Sequence, residues 1–239
     1  PYLILWTVFV SECKDRNDNK ENLKITLKSK GFRYGKIPTP NLGKDGNLTS
    51  WKTFLSDMEK YKVKSYSVYG DLSDNNQINN LITQVKNLKI QVDILYNNAA
   101  IMRPYRDDIW THTEEDWLET YKVNVLAMYK MCSAFIPAMI KNNYGRVVNL
   151  SSRIMNQPQL SPYGASKWAV DKLSHDLAFA LKDTPVRINF LDPGWLKTDM
   201  GGENAENPVE AVIPGALVPV LIGNDGPNGE FFSAMDYKM

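Results

Sequence analysis

The stretch GRVVNLSSRIMNQPQLSPYGASKWAVDKLSHDLAFALKD, from Gly145 to Asp183, decides the fold. Its opening, with Arg146–Leu150 as the strand, reads as a buried segment ending in two hydroxyls, Ser151 and Ser152. Residues 161–182 carry the length and apolar spacing of a helix. Strand followed by helix is half of a crossover unit, and the chain repeats that alternation on both sides. Further strands are expected at Leu3–Val10, Phe32–Ile37, Val63–Tyr69, Val92–Tyr96, Val186–Leu191 and near Glu230–Phe232. Several are near-continuous apolar runs, the pattern of parallel strands covered on both faces. Helices are expected at 18–30, 50–60, 74–88 and 113–141, with Gly31 ending the first, Ser50 capping the second and a Thr113/Asp116 capping box on the last. Parallel neighbours need long, right-handed connections. Seven strands separated by helices therefore predict an α/β fold, a doubly wound seven-stranded parallel sheet with helices on both faces, in one domain over 1–239.

Composition narrows the function classes. The chain has 239 residues, 43% of them hydrophobic, enough for one large core. Charge is almost balanced, 28 Lys+Arg against 27 Asp+Glu, so no nucleic-acid footprint or polybasic membrane patch is expected. Two distant cysteines, Cys13 and Cys132, form neither a disulfide framework nor a metal-ligand spacing. The apolar run Leu3–Val10 is too short to span a bilayer and lacks the flanks of a signal peptide, so it reads as a strand in a cytoplasmic protein.

Tyr163 and Lys167 lie four residues apart and share one helix face. A phenol ordinarily titrates near pH 10. A neighbouring ammonium favours the phenolate and brings the group closer to general acid–base work at neutral pH. Taken alone, such a pair is more often two surface residues. Ser152 adds weight, because ligands of doubly wound sheets bind outside the carboxyl ends of the strands. There it could hydrogen-bond a carbonyl oxygen that Tyr163 protonates; a turn or cap hydroxyl would explain it equally well. The segment Asp93–Ala100 is a strand ending in small and amide residues, which let backbone approach a flat ligand or simply make a turn. Asn124 sits inside a long helix, where its propensity gives it little reason to be.

Asn97-Asn98-Ala99-Ala100, Asn124, Asn149-Leu150-Ser151-Ser152, Tyr163-Gly164-Ala165-Ser166-Lys167 and Asp192-Pro193-Gly194-Trp195 occur in this order and at consistent separations. From about Tyr61 onward the chain resembles the short-chain dehydrogenase/reductase family. The resemblance implies a Rossmann sheet and a catalytic tetrad of Asn124, Ser152, Tyr163 and Lys167. Tyr163 would be the general acid/base and Ser152 would orient the carbonyl. Lys167 would lower the phenol pKa and hold the nicotinamide ribose, and Asn124 would support a water relay. Asp71, Leu72, Asn98 and Ala99 match the family's adenine-side contacts. Pro193, Gly194, Leu196 and Thr198 match the segment over the nicotinamide. Thr198–Gly202 and Asp225-Gly226-Pro227, with Gly229 and Phe231-Phe232, look like the NADPH-linked carbonyl reductases. The cofactor implied is NADP(H), with NAD(H) as the alternative, and the partner is a small carbonyl or alcohol substrate. The family's usual oligomer contact would fall on helices 113–141 and 161–182, whose apolar residues core packing explains as readily.

One loop departs from the pattern. The family carries glycines after its first strand, so that backbone N–H groups can reach a pyrophosphate. Here Leu3–Val10 is followed by Ser11-Glu12-Cys13-Lys14-Asp15-Arg16-Asn17-Asp18-Asn19, with Cys13, Asn17 and Asn19 at the glycine positions. Asn tolerates positive φ better than other non-glycine residues. Arg16 matches the basic residue that favours a 2′-phosphate. Ala100 replaces another family glycine. Either the dinucleotide binds through an altered loop, or the scaffold serves a non-catalytic binding or regulatory role. A Ser/His/Asp hydrolase is disfavoured, since only His112 and His175 occur and no G-x-S-x-G elbow is present. The substrate pocket is expected to draw on Met102, Arg103, Arg153, Met155, Trp195 and the loop Gly201–Asn207.

Overall fold

The computed structural model describes residues 5–6, 66, 68–102 and 105–237. Strands β1 (Leu5–Trp6) and β2 (Val68–Tyr69) pair antiparallel. This two-residue antiparallel ladder stands apart from the parallel sheet that the strand–helix alternation predicts. The expected strand Phe32–Ile37, the helices 18–30 and 50–60, Gly31 and Ser50 lie outside the described residues.

The expected parallel sheet is built by β3 (Ile94–Asn97), β4 (Gly145–Leu150), β5 (Val186–Asp192) and β6 (Phe231–Ser233), adjacent in that order. Asn97 pairs with Asn149, Leu150 with Leu191, and Asp192 with Ser233. The registers bring the carboxyl ends of all four strands to one edge. Every residue of β4 is buried, which explains its lack of alternation. On one face, Leu95, Val147 and Ile188 join a core with helices α1 (Asn75–Asn87), α3 (Met128–Lys141) and α4 (Ser161–Ala180). On the other, Val148, Leu150 and Leu191 pack with Val220 of the 3-10 segment Gly215–Val220 and with Phe232 and Ala234. Gly145 lets α3 lie close, because a Cβ there would meet Met139 at 2.7 Å.

The helix expected over 113–141 is a rod with an irregular middle. Its first part, α2 (Glu114–Tyr121), begins with the expected capping box, in which Thr113 Oγ1 accepts from Asp116 N at 3.2 Å and Asp116 Oδ2 from Thr113 N at 3.0 Å. Residues Lys122–Ala127 then wind as a π-helix before α3 starts. The rod, Glu114–Lys141, is long and apolar enough by composition to cross a membrane, but more than half of its apolar window is buried inside the fold.

Among the described residues, Arg146 is the largest fully buried side chain. Its guanidinium donates to the carbonyls of Ile222 (3.0 and 3.1 Å), Gly145 (2.8 Å) and Pro185 (3.1 Å) and to Asn224 Oδ1 (2.8 Å), and lies 4.5 Å from the Tyr144 ring centroid. Neutral acceptors thus satisfy the cation, and the return loop before β6 is tied to β4. Arg146→Met leaves the carbonyls of Ile222 and Gly145 buried without this donor. It should lower unfolding free energy in a denaturant titration by about 3 kcal/mol; a change within experimental error would show that water replaces the guanidinium.

Candidate active site

The carboxyl edge of the sheet gathers most of the residues singled out in the sequence. Buried amides set its floor. Asn97 Nδ2 donates to Asn149 Oδ1 at 2.8 Å, Asn149 Nδ2 donates to Ser174 Oγ at 2.8 Å, and Ser174 Oγ donates to the Val170 carbonyl at 2.7 Å. This chain links β3 to β4 and β4 to α4, so the helix carrying Tyr163 and Lys167 has a fixed height on the sheet.

Tyr163 and Lys167 occupy the first turns of α4, entered through the 3-10 turn Pro158–Leu160. Lys167 is buried. Its ammonium donates to the carbonyl of Leu150, the last residue of β4, at 2.8 Å and stands 5.6 Å from the Tyr163 ring centroid. Burial brings the Lys167 pKa down to about 8, while the carboxylates of Asp171 and Asp192 oppose that shift. Burial also pushes the Tyr163 phenol up to about 12; the Ser152 hydroxyl facing it pulls the other way and Asp192 adds to the rise. The expected lowering of the phenol by Lys167 is therefore not what this arrangement produces. The ammonium is spent on a backbone carbonyl, and desolvation outweighs it. Ser152, at the mouth as expected, accepts from the Ile154 N–H at 3.2 Å and keeps its own proton free to donate.

Asn124 lies in the π segment and is buried. Its Oδ1 accepts from Ile101 N at 2.8 Å, and its Nδ2 donates to Ile101 O at 3.0 Å and Ser166 Oγ at 2.9 Å. Ser166 Oγ donates in turn to the Tyr163 carbonyl at 2.7 Å. Asn124 thus clamps the chain leaving β3 to the first turn of α4. π-bulges recur at functional sites, where one extra residue re-aims a side chain.

The expected cofactor contacts divide. Asn98 is exposed and Ala99 half-buried at the end of β3. Asp71 caps a turn, its Oδ1 accepting from Ser73 N and Ser73 Oγ at 2.8 Å each. Leu72 is fully buried in the core. Beyond β5, Gly194 takes φ +80° and donates its N–H to Asp192 Oδ1 at 2.9 Å; a Cβ there would stand 2.8 Å from Met235. Pro193 and Leu196 are half-buried and Thr198 exposed, with Thr198 Oγ1 accepting from Gly201 N at 3.0 Å. Arg16, Asn17 and Asn19, with Cys13, lie outside the described residues.

Of the expected pocket, Met155 and Trp195 are exposed, and Trp195 Nε1 donates to Gly201 O at 2.8 Å, folding the 201–207 loop back on its stem. Arg153 is exposed. Its guanidinium lies 3.5 Å from the centroid of Phe231, held by the aromatic face. Arg103 lies outside the described residues. The sequence reading passed over Ser166, Asp192 and Asp171 as individual residues. Asp171 could have been found by continuing the four-residue spacing from Tyr163 and Lys167. Among the described residues no group of three or more His, Cys, Asp or Glu is placed to hold a metal.

Comparison with known proteins adds the family. An uncharacterized oxidoreductase of Thermotoga maritima is 32% identical over 131 residues, 54% of this chain and 50% of that one. The chain spans about half the length of the curated relatives it matches. Two solved structures share the fold. NADPH-bound carbonyl reductase from chicken fatty liver has a TM-score of 0.69 at 24% identity, covering 82% of this chain and 84% of that one. A 3-oxoacyl-[acyl-carrier protein] reductase with bound NAD from Brucella melitensis has 0.67 at 19% identity, covering 78% and 76%. The family model described as short chain dehydrogenase matches residues 45–208, a span that opens after the glycine-free loop and holds Asn124, Ser152, Tyr163 and Lys167, and the chain belongs to that family of oxidoreductases.

Proposed function

We propose that the protein transfers hydride between NADP(H), or NAD(H), and a small carbonyl or alcohol compound, with Tyr163 as the general acid/base. The observation that carries this reading is a phenol beside a serine hydroxyl, above a buried lysine, at the carboxyl edge of a parallel sheet. The groups at the mouth fit the nicotinamide-ribose half of such a cofactor. Lys167 offers an ammonium for ribose hydroxyls, Asn98 and Thr198 offer amide and hydroxyl groups, and Ala99 and Gly194 leave room for a flat ring against backbone. Asp71 and the Leu72 backbone would serve the adenine side. Arg16 supports NADP(H) over NAD(H), with Asn17 and Asn19 shaping the phosphate loop. The solved relatives named above carry NADPH in one case and NAD in the other.

A reduced nicotinamide, when bound, supplies the hydride to the carbonyl carbon. Ser152 donates a hydrogen bond to the carbonyl oxygen and holds it against the phenol. Tyr163, whose high pKa keeps it protonated at neutral pH, gives its proton to that oxygen as the alcohol forms. Lys167, charged below about pH 8, is the nearest cation to the phenolate left behind. Asn124, through Ser166 and Ile101, keeps the tyrosine turn and the β3 exit in register. The exposed apolar side chains Leu126 and Tyr129 on the long rod and Trp168 and Phe179 on α4 suit contact with a second copy.

The second reading, a non-catalytic binding protein on this scaffold, is favoured by one feature, the absence of glycine from Ser11 to Asn19. Titrating NADPH and NADH while following nicotinamide fluorescence separates the two. Saturable binding of either supports the reductase, and no binding at millimolar concentration overturns it.

With a panel of aldehydes and ketones as substrates, Tyr163→Phe should lower turnover by roughly a thousandfold and leave NADPH affinity within about twofold. Near-normal turnover would remove Tyr163 from the role of acid. The pH profile follows from Lys167. Raising pH through its pKa removes the charge that binds ribose. Reduction measured as kcat/KM should therefore be level at neutral pH and fall above about pH 8; a rise there would contradict the assignment.

A further inference from the structure

Helix α4 carries a third ionisable group in line with the first two. Asp171 follows Lys167 by four residues, and His175 follows Asp171 by four, so all continue the face begun by Tyr163. Asp171 Oδ1 is enclosed and has no hydrogen-bond partner, and the same holds for Ser151 Oγ. Burial raises the Asp171 pKa, and the Ser151 hydroxyl facing it pulls the other way, favouring the charged carboxylate. Ser151 is the residue after Leu150, whose carbonyl receives the Lys167 ammonium. A half-buried carboxylate with one enclosed oxygen thus lies one helical turn beyond a buried ammonium whose direct acceptor is a neutral carbonyl.

A charge held out of water needs a counter-charge. The groups facing Lys167 are the Tyr163 ring and Asp171 on its own helix and Asp192 at the end of β5. Asp192 is engaged by the Gly194 N–H and also faces Tyr163, where its charge disfavours phenolate. Asp171 opposes the desolvation of Lys167, and no interaction with Tyr163 accompanies it. Asp171 is itself faced by Arg153 beyond β4 and by His175 and Lys167 on α4. The arrangement lets Asp171 hold a proton on the lysine without making the tyrosine harder to ionise.

We propose that Asp171, which touches no reacting atom, is a positioning residue that keeps Lys167 in its ammonium form and so sets the upper pH limit of the Tyr163–Lys167 pair. The significance of the proposal rests on the catalytic reading of that pair. Its test does not require turnover.

In protein labelled with 13C at lysine Cε and aspartate Cγ, the Lys167 resonance, assigned by its loss in Lys167→Met, should titrate near pH 8. In Asp171→Asn that inflection should move down by about one pH unit, and Asp171→Glu should recover much of the shift. An inflection unmoved in Asp171→Asn overturns the proposal. Should the variant fail to fold, the unsubstituted protein still decides. Its Asp171 Cγ resonance should show a second inflection coincident with that of Lys167, and a trace that ignores the lysine overturns the proposal. Failure to bind NADPH would remove the reductase reading and leave this coupling measurable, so the two failures are distinguishable.

Discussion

The hydrogen-bonded chain Asn97–Asn149–Ser174 is the contact on which the rest of the site depends. Each partner is buried, so breaking one link strands the others without water to replace it. The chain crosses from one strand to the next and then to a helix. Apolar packing alone would let α4 slide along the sheet at small penalty, because dispersion contacts have no direction. Amides and hydroxyls do, and they set the helix at one height. Lys167 then meets the Leu150 carbonyl and Tyr163 stands beside Ser152. A second clamp, Asn124 to Ile101 and Ser166, fixes the other approach to the same turn.

Burial acts on the tyrosine and the lysine in opposite senses, and this shapes the chemistry. Desolvation disfavours any charged form, so it raises the phenol and lowers the ammonium. Left to desolvation, both groups drift toward neutrality, giving a good proton donor but a poor partner for the phenolate. Electrostatics must restore the lysine's charge from a direction that spares the tyrosine. Asp192 cannot do so cleanly, because it raises both. A carboxylate one turn beyond Lys167, with the lysine between it and the tyrosine along the helix, can.

Much of this was legible in the sequence. The strand ending in Ser151-Ser152, the helix carrying Tyr163 and Lys167 and the capping box at Thr113 follow from period and spacing, which backbone geometry enforces locally. The oddity of Asn124 was legible too, but its reason was not. A π segment is a tertiary compromise, and nothing in KVNVLA distinguishes it from a continuous helix. Leu72 shows a further limit of motif reading. A motif position does not say where the side chain goes; here it completes the core beside Ile78 and Leu81. The expected sign of the Tyr163 shift missed for a related reason. Spacing put the ammonium near the phenol, whereas the carbonyl that captures it belongs to a strand residue whose side chain has no chemistry.

The proton-transfer and dinucleotide halves of the proposed site are separable in physical terms. Among the described residues, the hydrogen bonds that build the first half run between residues 97 and 194, all C-terminal to Ser11–Asn19. A parallel sheet permits this because each strand contributes its own loop to the shared edge, and each loop can change without repacking its neighbours. Retention of Tyr163, Lys167, Ser152 and Asn124 is thus a statement about how α4 docks on β4. The glycine-free stretch Ser11–Asn19 bears, in the proposed function, on a different requirement, the fit of backbone N–H groups to a pyrophosphate. Substitutions there can retune cofactor affinity over a wide range while the tyrosine and lysine keep their geometry and their opposed pKa shifts.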